Sequence, residues 1–173
     1  MLKYFFSLLL FVIVSAMIYG QSADQMSMET KYKMIYNDVL NELISGKTDD
    51  LDKYVTSYFI EHDPSPGMSK QTGVERIKED FAAYHKTFPD MKAKVHSIAV
   101  SGDMLFAYLT FTGTTSEPYM GMPAGHQMTM NSVDLIRFKG DKAAEHWGFT
   151  SNEDIMKMMP PQDKMMDQGI DKK

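Results

Sequence analysis

Apolar residues recur at spacings of three and four between residues 30 and 45, which is the period of an amphipathic helix. The stripe consists of Tyr32, Ile35, Tyr36, Val39, Leu40, Leu43 and Ile44. Gly46 follows the stripe directly, and glycine often ends a helix because it adopts a left-handed conformation at little cost. The pattern therefore predicts a first helix that begins near Thr30 and turns one apolar face toward a core.

A short helix and an extended segment are predicted next. Asp49 or Asp50 can cap a helix that contains Leu51 and Tyr54. Residues 55–62 are rich in β-branched and aromatic side chains, which favours a strand.

A third helix is predicted after the loop at residues 63–67, which is marked by its prolines and glycine. It follows Thr72 and Gly73, and the segment Phe88-Pro89-Asp90 ends it.

Alternation of apolar and polar residues dominates the chain after residue 90, which indicates strands. The predicted strands cover residues 93–100, 104–112, 126–138 and 142–149, and a short helix is predicted over residues 153–159. Helices followed by antiparallel strands indicate an α+β fold. We expect a strongly bent antiparallel sheet wrapped around about three N-terminal helices, with a cavity inside a cone.

The first twenty residues have the pattern of a secretory signal peptide. Lys3 precedes an almost unbroken apolar run over residues 4–19, and Gly20 is a small residue at its end. The run is short for a membrane span, although an uncleaved anchor stays open as an alternative. We therefore predict a secreted or periplasmic protein with no stable membrane insertion after cleavage. Residues 21–29 are predicted to be a flexible lead-in, residues 30–159 one domain, and residues 160–173 a disordered, Met-containing tail.

Charge and cysteine content exclude several function classes. The net charge is −5, and an acidic, unclustered surface argues against nucleic acid as a partner. The chain has no cysteine, which excludes disulfides, thiol catalysis and Cys-based metal sites.

Eight short segments together resemble the SnoaL-like polyketide cyclase family, also called ester cyclase-like proteins, over roughly residues 30–158. They are His62-Asp63-Pro64, Gly73-Val74-Glu75, Phe88-Pro89-Asp90, Ser101-Gly102-Asp103, Thr110-Phe111-Thr112-Gly113-Thr114, Gly121-Met122-Pro123-Ala124-Gly125, Val133-Asp134-Leu135-Ile136-Arg137-Phe138 and Glu145-His146-Trp147. The resemblance implies the nuclear transport factor 2-like fold with a deep apolar pocket. It also implies a pocket aspartate that acts as general acid/base in an intramolecular aldol closure, without a cofactor. Many relatives have an aspartate at or shortly after the position that follows the tryptophan, where this chain has Gly148 and Phe149.

Three residues are the candidate catalytic groups. Asp134 lies in mid-strand, and in apolar surroundings desolvation would raise its pKa and make it a plausible general base; the alternative is a structural aspartate paired with Arg137. His146 is a possible proton shuttle, or a histidine that only bonds a neighbouring strand. His62 lies where a strand meets a loop and is a candidate for pocket contact or for a local bond with Asp63.

The candidate ligand-binding residues are aromatic or apolar and have ordinary core packing as their alternative role. They are Tyr36, Tyr58, Phe81, Tyr84, Met120 and Trp147.

The five histidines show no zinc-ligand spacing, and we expect neither a metal site nor a cofactor. The methionines of the C-terminal segment make a Cu(I)-handling role a less favoured hypothesis. The leading hypothesis is an exported domain that binds a small apolar molecule in its cone and performs cyclase-like or isomerase-like acid/base chemistry. A non-catalytic ligand-binding module is the alternative, and an exposed sheet face would favour a homodimer.

Overall fold

The computed structural model describes residues 27–63 and 69–158. The first helix, α1, covers residues 27–45. It is already helical at residues 27–29, which the sequence placed in a flexible lead-in. The predicted signal peptide, the proline-rich loop and the C-terminal tail lie outside the described residues.

Gly46 ends α1, as predicted, and it does so for two reasons. Its φ angle is +69°, a conformation that favours glycine. A side chain there would also collide with the ring of His85, whose Cδ2 atom would lie 2.4 Å from the added Cβ.

The elements before residue 90 follow the predicted order. The short helix α2 spans Leu51–Tyr54 with Asp50 at its N-cap, and the strand β1 spans Val55–Glu61. The helix α3 spans Gly73–Thr87 and ends at Phe88.

The remaining elements also lie within a few residues of their predicted positions. The strands are β2 at Lys92–Ser101, β3 at Met104–Thr114, β4 at Gln127–Lys139 and β5 at Lys142–Thr150, and the helix α4 covers Asn152–Met158.

The five strands form one sheet in the order β1-β5-β4-β3-β2. The pairs β2–β3, β3–β4 and β4–β5 are antiparallel, whereas β1 pairs with β5 in parallel. The prediction of a wholly antiparallel sheet was therefore wrong at this edge. A hairpin forces antiparallel pairing, whereas β1 reaches β5 only after a long excursion through α3 and three strands, which leaves its direction free.

The sheet has an inner face that is covered by helices and an outer face that is largely exposed. Register shifts interrupt the pairing of β1 with β5, β2 with β3 and β4 with β5, and such irregularities bend and twist a sheet. The main core lies on the inner face. It joins α1 residues such as Tyr32 and Tyr36 to sheet residues such as Leu105, Leu109 and Phe138.

A second, smaller core is rich in methionine and lies beside the loop that joins β3 to β4. It consists of Phe88, Met91, Met122 and Met128. None of the helices in the described part of the chain is long and apolar enough to cross a membrane.

Candidate active site on the inner face of the sheet

Asp134 on β4 lies on the inner face and is held from the helix side. The hydroxyl of Tyr36, on α1, donates a hydrogen bond of 2.8 Å to Oδ2 of Asp134. The hydroxyl of Ser132 donates one of 3.1 Å to Oδ1. The Nε2 atom of His146 lies 3.7 Å from the same Oδ1 atom. The structure thus brings together Tyr36, Asp134 and His146, three of the residues that the sequence selected.

His146 on β5 lies between two carboxylates. Its Nδ1 atom is 2.6 Å from Oε2 of Glu61, at the end of β1, and its Nε2 atom faces Asp134. The side chains are mostly covered, with 11% of Glu61, 13% of Asp134 and 23% of His146 exposed. Asp134 and His146 therefore each retain some exposed side-chain surface.

The carboxylates determine the charge of the imidazole. Burial alone would lower the pKa of His146, but the two carboxylates of Asp134 and Glu61 outweigh it and raise that pKa to about 9. At neutral pH His146 is therefore a cation and carries protons on both nitrogens. Burial and the charge of Asp134 raise the pKa of Tyr36 above its usual range, so its hydroxyl stays protonated and acts as a donor.

The strand register explains why these side chains meet. Across β4 and β5, Asp134 is paired with Gly148, and Ile136 is paired with His146. Across β1 and β5, Glu61 is paired with His146. Residues that are directly paired in a sheet share a face, so Glu61, His146 and Asp134 all lie on the inner face.

The outer face of the same strands carries a second polar cluster. The Nε2–H of His62 donates to Glu145 at 2.8 Å, and Arg137 donates to Glu145 at 2.9 Å. The ring of His62 stacks on Trp147 with a centroid distance of 4.2 Å, and Arg137 lies 5.4 Å from the Trp147 ring. The hydrogen bond from His62 holds the pKa of Glu145 below its usual range.

The outer cluster corrects two expectations. The structure does not bring His62 to Asp134 and His146, and it does not place Trp147 on the same face as those two residues. Successive residues of a strand point to opposite faces, so His62 and Trp147 face outward because Glu61 and His146 face inward. The alternative role of Asp134, as a structural partner of Arg137, is not found either. Arg137 pairs instead with Glu145 and Asp103.

The other predicted ligand-binding residues lie apart from Asp134. Tyr58 and Met120 are exposed, at 61% and 41%. Phe81 packs on the main core and Tyr84 on the methionine-rich core. Among the candidates for ligand binding, only Tyr36 contacts the Asp134 carboxylate through a hydrogen bond in the described residues.

Two surface depressions lie outside this site. One of about 450 Å³ is lined by residues of β1 and of the turn between β4 and β5, including Thr56, Lys139 and Lys142. The other, of about 430 Å³, lies on the outer face and includes Tyr108, Val133 and Phe149. Neither contains Asp134 or His146, so access to these two groups depends on the exposed parts of their own side chains.

Glu61 is the site residue that sequence reasoning missed. The alternation in β1 could have indicated it, because Phe59 is an apolar residue two positions earlier and shares its face. The described residues contain no group of three or more His, Asp or Glu side chains placed to hold a metal ion. Of the C-terminal methionines that suggested Cu(I), Met156 and Met158 lie in α4, and Met159, Met165 and Met166 lie outside the described residues.

Comparison with known proteins gives one family and many structures of the same fold. The model of the SnoaL-like polyketide cyclase family matches residues 32–159. Comparison with curated protein sequences gives no match.

Three solved structures illustrate the structural likeness. A proposed polyketide cyclase from Acidithiobacillus ferrooxidans is 26% identical, with a TM-score of 0.64 over 75% of this chain and 94% of that one. TsrD from Streptomyces laurentii is 20% identical, with a TM-score of 0.65 over the same shares. An epoxide hydrolase from M. tuberculosis, of the LEH-like type, is 13% identical, with a TM-score of 0.60 over 76% of this chain and 91% of that one. The last two show the fold alone.

Proposed function

Because the chain belongs to the SnoaL-like polyketide cyclase family, we propose that it binds a small, largely apolar carbonyl compound on the inner face and removes a proton beside the carbonyl. The observation that carries the proposal is the pair formed by Asp134 and His146, whose other ring nitrogen is bonded to Glu61. A carboxylate and an imidazolium lie 3.7 Å apart, and both are partly exposed. One is a base and the other is a donor, which is the combination that enolate formation needs.

Asp134 is the base in this proposal, since His146 is already protonated at neutral pH. The carboxylate takes the proton of the carbon next to the carbonyl. The electron pair of the broken C–H bond forms a C=C bond, and the carbonyl oxygen becomes an oxyanion. A positioned carboxylate base contributes about 10²–10⁴-fold to such a step.

His146 supplies the donor for the oxyanion. Its Nδ1–H is committed to Glu61 at 2.6 Å. Its Nε2–H faces Asp134 at 3.7 Å, which is longer than a hydrogen bond, so this proton is available to a ligand oxygen. When Asp134 accepts a proton its charge is lost, and the Tyr36 hydroxyl becomes a second possible donor.

Two outcomes are open to the enolate, and neither requires an oxidant, a reductant or a cofactor. In an aldol closure, the enolate carbon attacks a second carbonyl of the same molecule, and the new alkoxide takes the proton back from Asp134. In an isomerisation, Asp134 returns the proton to another carbon. Both sequences conserve protons and electrons.

The test is the exchange of C–H protons for deuterium. We expect the protein to accelerate exchange beside the carbonyl of 2-tetralone in D₂O, followed by ¹H NMR. Asp134→Asn should lower the protein-dependent rate at least ~100-fold. Asp141→Asn is the matched control, because Asp141 is an exposed carboxylate at the opposite end of the hairpin, paired with Lys31. Equal rates for wild type and Asp134→Asn would contradict the assignment of the base.

The alternative is ligand binding without catalysis. It is favoured by the fact that both oxygens of Asp134 already accept hydrogen bonds, from Tyr36 and Ser132, as in a structural network. That alternative predicts broadened 2-tetralone signals with no exchange above the buffer rate, and the same NMR samples distinguish the two.

A further inference from the structure

Gly148 lies in the middle of β5, on the inner face, directly opposite Asp134. Its backbone does not require glycine, because its φ angle is not in the left-handed region. Inside a strand, glycine is normally less favourable than alanine, since it loses more conformational freedom on folding and packs no side chain. Something other than the backbone therefore accounts for a glycine at this position.

The imidazole of His146 lies against the space where a side chain of residue 148 would be. A Cβ added to Gly148 would lie 3.3 Å from Cε1 of His146 and 3.9 Å from Nε2. The shorter of these distances is tighter than ordinary van der Waals contact, so the ring would have to move.

The register shows why the ring lies there. His146 is paired across the strands with Ile136, and Asp134 is paired with Gly148. To bring Nε2 to 3.7 Å from Asp134, the imidazole leans along β5 and passes over residue 148. A Cβ at residue 148 would crowd this approach and require the ring to shift by a few tenths of an ångström.

We propose that Gly148 is a positioning residue of the inner-face site, whose missing side chain lets the His146 imidazole lie beside Asp134. The inference rests on the proposed function for its catalytic consequence. The position of His146 relative to Asp134 can be tested whether or not the protein is an enzyme.

The consequence of filling this space follows from the groups that face His146. They are Glu61 from β1 and Asp134 from β4, and the Tyr36 hydroxyl of α1 reaches it through Asp134. A side chain at residue 148 pushes the ring away from Asp134 and leaves Glu61 as its carboxylate partner. The imidazolium then loses part of the attraction that favours its charged form.

The experiment is an NMR titration of the imidazole Cε1–H groups in the full chain, with the His146 signal assigned by its loss in His146→Gln. In Gly148→Ala the pKa of His146 is expected to fall by on the order of one unit, and in Gly148→Val it should fall further. The thermal midpoint of Gly148→Ala should stay the same or rise, because alanine suits a strand better than glycine. If Gly148→Val does not fold, Gly148→Ala decides.

Gly113→Ala is the matched control. Gly113 also lies in a strand without a positive φ angle, and a Cβ there would lie 3.3 Å from Cβ of Phe88, far from His146 in the fold. The His146 titration should be unchanged in this variant. A fall that is confined to the residue 148 variants supports the inference. An unchanged His146 pKa in folded Gly148→Ala, or an equal fall in Gly113→Ala, overturns it. Absence of 2-tetralone exchange in the wild type would contradict the proposed function and leave this titration result standing.

Discussion

The carboxylate of Glu61 lies 2.6 Å from Nδ1 of His146 and, together with Asp134, favours the cationic form of that histidine. The contact joins the parallel edge strand β1 to β5, and it defines one side of the candidate site. A histidine that is held in this way acts as a donor rather than as a base. The division of roles between Asp134 and His146 thus depends on a third residue.

Glu61→Gln is expected to lower the pKa of His146, because a neutral amide favours the imidazolium less than a carboxylate does. The measurement is the NMR titration of the His146 ring. Glu145→Gln is the matched control, since Glu145 binds His62 on the outer face and its loss should not alter the His146 titration. An unchanged His146 pKa in Glu61→Gln would contradict the role of this ion pair.

Stability should depend on pH through His146. A pKa raised from 6.5 in the unfolded chain to about 9 in the fold means that the folded state binds the proton more tightly. The resulting stabilisation is fully present below pH 6.5 and is lost as the pH rises through about 9. The free energy of unfolding should fall by roughly 2–3 kcal/mol across this window.

Urea denaturation at several pH values measures this dependence. In His146→Gln the fall in the free energy of unfolding over the same pH window should disappear. In His126→Gln, which alters a histidine of the β3–β4 loop, the free energy of unfolding should fall as in the wild type. A wild-type stability that is constant from pH 6.5 to pH 9 would show that the two carboxylates do not raise the His146 pKa.

Tyr36→Phe should destabilise the fold and weaken the site together. The substitution removes the hydroxyl that donates to Asp134 at 2.8 Å, and a hydrogen bond to a charged group contributes about 1.5–3 kcal/mol. Tyr32→Phe is a suitable control on the same helix, because its hydroxyl donates at 3.3 Å to the neutral carbonyl of Gly140 and should cost about 0.5–1.5 kcal/mol. Thermal denaturation measures both. Equal stability losses would mean that the charge of Asp134 adds nothing to the Tyr36 bond.

The outer face of the sheet is expected to form a homodimer. Tyr108, Val133 and Phe149 make a row across β3, β4 and β5, and each is between 39% and 54% exposed. A contiguous apolar surface of this kind commonly marks an interface. Sedimentation velocity should give a dimer for the wild type and a monomer for Phe149→Lys. Met34→Lys alters a still more exposed apolar residue on α1 and should remain a dimer. A monomeric wild type would contradict this proposal.

Export is expected from the apolar segment at residues 4–19. The full chain, produced in a Gram-negative bacterium, should appear in the periplasm without residues 1–20, or without residues 1–16 if cleavage follows Ala16. Mass spectrometry of the purified protein identifies the cut. Leu10→Arg, which interrupts the apolar run, should retain the whole chain in the cytoplasm, whereas Met26→Arg should be exported. A wild-type protein of full mass in the cytoplasm would contradict the signal-peptide interpretation.

The sequence by itself determined the elements and the family. The apolar stripe of α1, the stop at Gly46 and the alternation after residue 90 are local patterns, and their periods follow from helix and strand geometry. Alternation also showed that His146 and Trp147 point to opposite faces. It could not show which of the two faces the helices, because period two defines two faces without saying which one is covered.

Only the tertiary structure decided that point, because α1 covers the face that carries Asp134 and His146. The pairing of β1 with β5 then decided which residue joins them. The parallel register aligns Glu61 with His146, which turns Glu61 inward and His62 outward. A shift of one residue would have exchanged them. The sequence therefore indicated Asp134 and His146 as candidate residues on two strands that follow each other along the chain, which is a local relationship. It could not indicate Glu61, Tyr36 as the donor to Asp134, or the space above Gly148, because these depend on contacts between residues that are far apart along the chain.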